Sequence, residues 1–167
     1  MVIFLVGYMG SGKSSFGKKL ALKLHLQFLD LDSYIEEQSQ TSITEIFDKK
    51  GEAHFRSLEH EAIKKLTEEN NLIIATGGGT PCFYANMDLM NKYGITVYLQ
   101  GTVELLVSRL AKSKKERPLL KNKTEEELKN FIAKSLLDRE IFYAKSKYIM
   151  DAKNANADQL AMVLQHK

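Results

Sequence analysis

Apolar residues in this chain fall into short unbroken blocks, separated by longer stretches in which they return every three or four positions. The blocks are Val2 to Val6, Phe28 to Leu31, Leu72 to Thr76, Ile95 to Leu99 and Tyr148 to Met150. Each has the length and the β-branched or aromatic content of a strand. After the first comes a glycine-rich turn and then Leu20, Ala21 and Leu24 at helical spacing, so the opening predicts strand, loop, helix. Strands that are apolar throughout, not on alternate residues, need cover on both faces, which predicts a parallel sheet inside a three-layer α/β/α sandwich. Ser42 with Glu45 and Thr124 with Glu127 have the spacing of capping boxes and mark helix starts. From about Ala111 to Lys123 the periodicity fails, lysines accumulate and Pro118 interrupts, which predicts a mobile surface loop.

Composition narrows the class. A length of 167 residues with 44% hydrophobic content suits one domain with one core. The 24 basic and 21 acidic side chains are interleaved, so no basic stripe suited to nucleic acid is expected. A single cysteine, Cys82, excludes an intrachain disulfide and a thiolate metal cluster and fits a reducing compartment. The apolar start lacks a basic leader and breaks at Gly7, short of a membrane span. The expectation is a cytoplasmic monomer with no membrane partner.

Gly7-Tyr8-Met9-Gly10-Ser11-Gly12-Lys13-Ser14 matches G-x-x-x-x-G-K-[ST] between a predicted strand and a predicted helix. Glycines allow the backbone to curl so that N–H groups face phosphate oxygens at the positive end of a helix. Gly10, Ser11, Gly12, Lys13, Ser14 and Ser15 form the candidate ATP-binding set. Lys13 would neutralise the transferred phosphate, and the Ser14 hydroxyl would ligate Mg²⁺. Asp30-Leu31-Asp32 closes the second strand, and a two-residue period would place both carboxylates on one side. Asp30 is assigned to the Mg²⁺ shell through water, and Asp32 to the substrate hydroxyl that attacks the γ-phosphate.

Further motifs follow in order: Gly51-Glu52-Ala53-His54-Phe55-Arg56-Ser57-Leu58-Glu59, then Thr76-Gly77-Gly78-Gly79, then Arg117-Pro118-Leu119-Leu120, then Arg139 with Tyr143. From Val2 to about Met150 this series resembles the shikimate kinases. The resemblance implies a P-loop kinase fold with a five-stranded parallel sheet ordered 2-3-1-4-5. It also implies transfer of the ATP γ-phosphoryl group to the 3-hydroxyl of shikimate, with Mg²⁺. One domain over residues 1–167 would carry a substrate-binding helical region at about 32–61 and a lid at about 111–123. Arg56 and Arg139 match the arginines that clamp the substrate carboxylate, a task for which planar guanidinium suits better than ammonium. Gly78 and Gly79 would offer backbone to the ring, Glu59 would orient Arg56, and Ile43, Phe47 and Phe55 would floor the pocket. Arg117 matches the lid arginine, which reaches the phosphates on closure. Arg109 or Lys112, with the rim Lys153-Asn154-Ala155-Asn156, would meet adenine.

The family commonly carries small aliphatic residues after the triple glycine, where this chain has Thr80-Pro81-Cys82. The histidines His25, His54, His60 and His166 lack ligand spacing and receive no role. Two rivals remain: another P-loop small-molecule kinase, for gluconate or a nucleoside monophosphate, and a non-catalytic nucleotide-binding homologue or switch. The paired arginines with the triple glycine suit a cyclic hydroxy acid, whereas a nucleotide substrate would call for a base pocket. A guanine-nucleotide switch would need Asn-Lys-x-Asp, which Asn154 to Asp158 does not supply.

Overall fold

The computed structural model describes residues 1–113, 120 and 122–165. Its strands are β1 (Val2–Val6), β2 (Gln27–Asp30), β3 (Leu72–Ala75), β4 (Ile95–Gln100) and β5 (Tyr148–Asp151). All pair in parallel, in the order β2-β3-β1-β4-β5. The helices are α1 (Lys13–Leu24), α2 (Leu31–Ser39), α3 (Ile43–Leu66), α4 (Asn86–Tyr93), α5 (Val103–Ala111), α6 (Glu125–Tyr143) and α7 (Ala157–Gln165), with a 3₁₀ turn over Thr80–Cys82.

Strand periodicity divides the core in two. Val2, Phe4 and Val6 of β1 face a layer built on α2, α3, α4, α5 and α6. Ile3 and Leu5 face the layer of α1 and α7. β1 and β3 are buried along their whole length, as expected of central parallel strands. The outer strands differ from the expectation of uniformly buried blocks: β2 and β5 are half exposed, because each has a neighbour on one side only.

The register aligns the carboxyl ends of β1, β2 and β3 on one rim, with Asp30 opposite Ala75 and Leu5 opposite Ala75 on the other side. In open α/β sheets ligands collect at this rim. One detail departs from the strand-period reading of Asp30-Leu31-Asp32. The strand stops at Asp30, whose carboxylate accepts a hydrogen bond from the Ser33 N–H and becomes the N-cap of α2. Leu31 and Asp32 are therefore helical, and the two acids do not share a strand face.

Capping works as the sequence suggests at α6, where Thr124 and Glu127 bond reciprocally. At α3 the Ser42 hydroxyl accepts from the Glu45 N–H, while the Glu45 carboxylate is drawn to the Thr41 hydroxyl and to Lys49. Helix α3 is broken at Gly51, with φ 81° and ψ 170°, a region open to glycine almost alone. The break turns the segment bearing Phe47 against the one bearing Phe55, and the two rings meet at 4.9 Å.

Close packing at the far end of the sheet gives a stability prediction. A Cβ on Gly94 would lie 2.6 Å from the Phe4 ring and 2.8 Å from the Val2 carbonyl oxygen. The carbonyl belongs to β1 and cannot swing aside. Gly94→Ala should cost about 1–3 kcal/mol, lowering the melting temperature by roughly 2–12 °C. Thermal denaturation followed by circular dichroism checks it.

Candidate active site

The loop after β1 curls through three glycines with positive φ: Gly7 at 143°, Gly10 at 81° and Gly12 at 94°. Gly12 is the N-cap of α1 and supplies no side-chain cap, so the first-turn N–H groups face the loop, an arrangement suited to an anion. Lys13 is buried and curls across the loop, its Nζ donating to the Gly7 carbonyl at 2.7 Å and the Tyr8 carbonyl at 2.9 Å. Inside the loop the Ser11 Oγ is buried with no hydrogen-bond partner among the described residues. The Ser14 hydroxyl donates to Asp30 Oδ2 at 2.8 Å; Ser14 and Ser15 are exposed and Asp30 is partly buried.

The triple glycine after β3 is the meeting point of the site. A Cβ on Gly77 would lie 2.9 Å from Glu59 Oε1 and 3.3 Å from Asp32 Oδ1. On Gly78 it would lie 3.3 Å from Arg139 Nη1 and 3.4 Å from the Met9 nitrogen of the phosphate loop. On Gly79 it would strike the Arg56 guanidinium at 2.6 Å. Thus α2, α6 and the loop after β1 each bring one group against the triple glycine and α3 brings two, Glu59 and Arg56, and only residues without a side chain allow that approach.

Each group is held in place. Arg56 Nη1 donates to Glu59 Oε2 at 2.7 Å, while Nε and Nη2 donate to Glu52 Oε1 at 3.2 and 3.1 Å. The guanidinium also lies over the Phe83 ring, 4.4 Å from its centroid, and near Phe55 at 5.4 Å. Burial works against the Arg56 charge, but Glu59 and Glu52 more than offset it and hold the pKa above its ordinary value. Burial likewise lifts the Glu59 carboxyl above the usual range, opposed by Arg56 and by the Thr80 hydroxyl, which donates to Oε1. Removing either partner of such a buried pair would strand a charge, at about 3–5 kcal/mol.

Arg139 lies over the Tyr8 ring at 5.3 Å, and the Tyr8 hydroxyl pairs with Ser135 one turn earlier on α6. Tyr143, buried on the same helix, donates its hydroxyl to the Gly78 carbonyl. Ile43 is partly buried and Phe55 fully so, whereas Phe47 is 36% exposed. Arg109 donates to the Ser11 carbonyl at 2.9 Å and the Ala152 carbonyl at 3.0 Å, tying the phosphate loop to the turn before Lys153–Asn156. That turn is closed by Asp151, which accepts from the Lys153 N–H and the Asn154 amide. Cys82 is half buried, and burial pushes its thiol up to about 11, so it is protonated at neutral pH. Arg117 lies outside the described residues, as do Pro118 and Leu119; Lys112 follows the last residue of α5.

Sequence reasoning passed over Glu52, Thr80 and Phe83. Glu52 was recoverable, since it stands four residues before Arg56 on the same helix and such pairs face each other. Thr80 and Phe83 reach the site through the 3₁₀ turn after the triple glycine, and no spacing rule announces them. Among the described residues no three acidic, histidine or cysteine side chains cluster as a metal cage, and no helix is long and apolar enough to cross a membrane.

Comparison with known proteins places this arrangement among relatives. The family model described as Shikimate kinase matches residues 9–166. A shikimate kinase of Azobacteroides pseudotrichonymphae genomovar. CFP2 is 45% identical over 159 residues, covering 95% of this chain and 94% of the relative. The crystal structure of shikimate kinase from Bacteroides thetaiotaomicron superposes with a TM-score of 0.91 at 42% identity, covering 99% of this chain and 97% of that one. The Acinetobacter baumannii shikimate kinase, solved in complex with shikimate, superposes with a TM-score of 0.85 at 35% identity, covering 99% and 90%.

Proposed function

The chain belongs to the shikimate kinase family, and from that premise we propose how its own residues transfer the γ-phosphoryl group of ATP to the 3-hydroxyl of shikimate. The observation that carries the reading is the convergence of Asp32, Arg56 and Arg139 with the phosphate loop around Gly77, Gly78 and Gly79.

Arg56 and Arg139 hold the substrate carboxylate, since guanidinium forks give it direction as well as charge. Glu59 orients the Arg56 fork, and the backbone of Gly78 and Gly79 lies close enough to meet the ring. Ile43, Phe47 and Phe55 form an apolar floor under it. Asp32 accepts the proton of the attacking hydroxyl, and its site needs no strongly raised pKa because the transfer depends on alignment and charge neutralisation. Lys13 leaves the Gly7 and Tyr8 carbonyls for the phosphate, while the backbone N–H groups of Gly10 to Ser15 take the other oxygens. Arg117 closes over the phosphates from the lid, a role resting on its motif, and Arg109 or Lys112 with the 153–156 rim borders the adenine.

Ser14 and Asp30 fit Mg²⁺: both are hard oxygen donors, they already meet at 2.8 Å, and this ion takes few protein ligands beside water and phosphate. When bound there it would neutralise phosphate charge. A single 1–167 domain, cytoplasmic and monomeric, is the accompanying reading. The single thiol supports a reducing compartment. Leu22 and Tyr93 are exposed singly on α1 and α4, Leu137 with Ile141 on α6 and Met162 with Val163 on α7, and small separate patches of this kind support the monomer.

The test is a coupled ADP-release assay with Mg-ATP against shikimate, gluconate and nucleoside monophosphates. Shikimate alone should support turnover; activity confined to another acceptor would replace the substrate assignment and leave only the kinase fold.

A further inference from the structure

Resting on the reading of Arg56 as a carboxylate clamp, we infer that Phe83 is a positioning residue for shikimate, acting through the face of the Arg56 guanidinium. Three of the five in-plane N–H donors of Arg56 are taken by Glu59 and Glu52, which leaves two for a carboxylate. Glu52 is well exposed, with 58% of its side chain accessible, so water competes for that contact and it fixes the fork weakly. What stops the group from tilting out of plane is the ring of Phe83 at 4.4 Å, with Phe55 farther away at 5.4 Å. An arginine face attracts an aromatic ring through the ring quadrupole, and more strongly where water is excluded. The side chain of Arg56 is 11% exposed.

The turn that presents Phe83 is built for the purpose. The Cys82 N–H bonds the Gly79 carbonyl, the Asn86 N–H bonds the Phe83 carbonyl, and the buried Asn86 amide bonds the Thr80 carbonyl. Tyr84 and Ala85 both take left-handed φ, at 51° and 54°, a conformation that side-chain-bearing residues avoid unless their surroundings impose it. Tyr84 is pinned by stacking on His60 of α3, whose Nδ1 pairs with Asn86 at 2.7 Å. Two contacts of His60 on α3 and three hydrogen bonds within the turn thus fix the residues on either side of Phe83, and the ring between them lands on Arg56. This is the stretch where the chain departs from the short aliphatic residues expected after the triple glycine. Phe83 is itself 37% exposed, so it contributes little to the core, and its contact with Arg56 is the main thing its loss removes.

The experiment compares Phe83→Leu, Phe83→Tyr and Arg56→Lys with the unaltered enzyme in steady-state assays that vary shikimate and ATP separately, alongside melting temperatures. Leucine keeps apolar bulk and removes the ring; tyrosine keeps the ring. The expected result for Phe83→Leu is a rise in KM for shikimate of roughly 3- to 10-fold, the size of a partly desolvated cation–π contact. KM for ATP, kcat and melting temperature should stay close to those of the unaltered enzyme, and Phe83→Tyr should restore the shikimate KM. If Arg56→Lys raises the shikimate KM while Phe83→Leu leaves it within twofold, the inference fails and the clamp stands. If Phe83→Leu raises both KM values together or lowers the melting temperature in step, the ring serves packing and the inference fails. If Arg56→Lys leaves the shikimate KM unchanged, the clamp reading itself falls.

Discussion

Lys13→Ala is expected to lower kcat by at least about 10²- to 10³-fold, the scale set by losing one preorganised charge at a reacting centre. The loss should be this large because Lys13 is the buried cation of the phosphate loop, and the N–H groups around it supply only partial charges. In the described state its Nζ is bonded to two carbonyls of its own loop. Truncation leaves those carbonyls, which belong to buried residues, without their donor, so the cost in stability should be about 1–3 kcal/mol. ADP release under saturating substrates measures the first effect, and a thermal melt measures the second. A variant that stays folded and retains a tenth of the normal turnover would remove Lys13 from the chemistry.

Asp32→Asn should lower kcat by roughly 10²- to 10⁴-fold. The amide keeps the shape and the hydrogen bonds to a hydroxyl, but it cannot take the proton, so KM for shikimate should change much less than kcat. Stability should move the other way. Asp32 lies close enough to Glu59 that its negative charge helps to raise the Glu59 pKa. Neutralising Asp32 lets Glu59 ionise at a lower pH. A raised folded-state pKa means stability that is present at low pH and lost as pH rises through the folded value, so relieving it should favour the variant at neutral pH. The melting temperature of Asp32→Asn at pH 7 should therefore equal or slightly exceed that of the unaltered protein. A kcat within threefold of normal would sink the assignment of Asp32 as base.

Most of the fold was legible because its signals are local. Unbroken apolar blocks marked all five strands to within a residue or so, and β1 runs from Val2 to Val6 as read. The errors arose where one position serves two elements. At Asp30 the strand period predicted a shared face with Asp32, but a side chain able to bond the N–H of Ser33 starts a helix instead. Edge exposure of β2 and β5 was not legible, since an apolar block does not disclose how many neighbours it will have. The phosphate loop and the pair Asp30 and Asp32 could be named from motif spacing, and Arg56, Glu59 and Arg139 from the family resemblance. Their mutual approach could not, because Asp32, Arg56, Gly79 and Arg139 come from distant parts of the chain, and neither could the aromatic backing of Arg56, which depends on two left-handed residues that no sequence rule favours at Tyr84 and Ala85.

The hub at 77–79 also makes separate duties addressable from its two ends. Gly77 answers to the acid side of the pocket, Gly78 to the phosphate loop and α6, and Gly79 to Arg56. A methyl group grafted onto Gly77 would therefore press on Glu59 and Asp32 and one on Gly79 on Arg56, while on Gly78 it would reach the phosphate loop and Arg139 together, so the outer two positions offer separate handles and the middle one couples the two halves of the pocket.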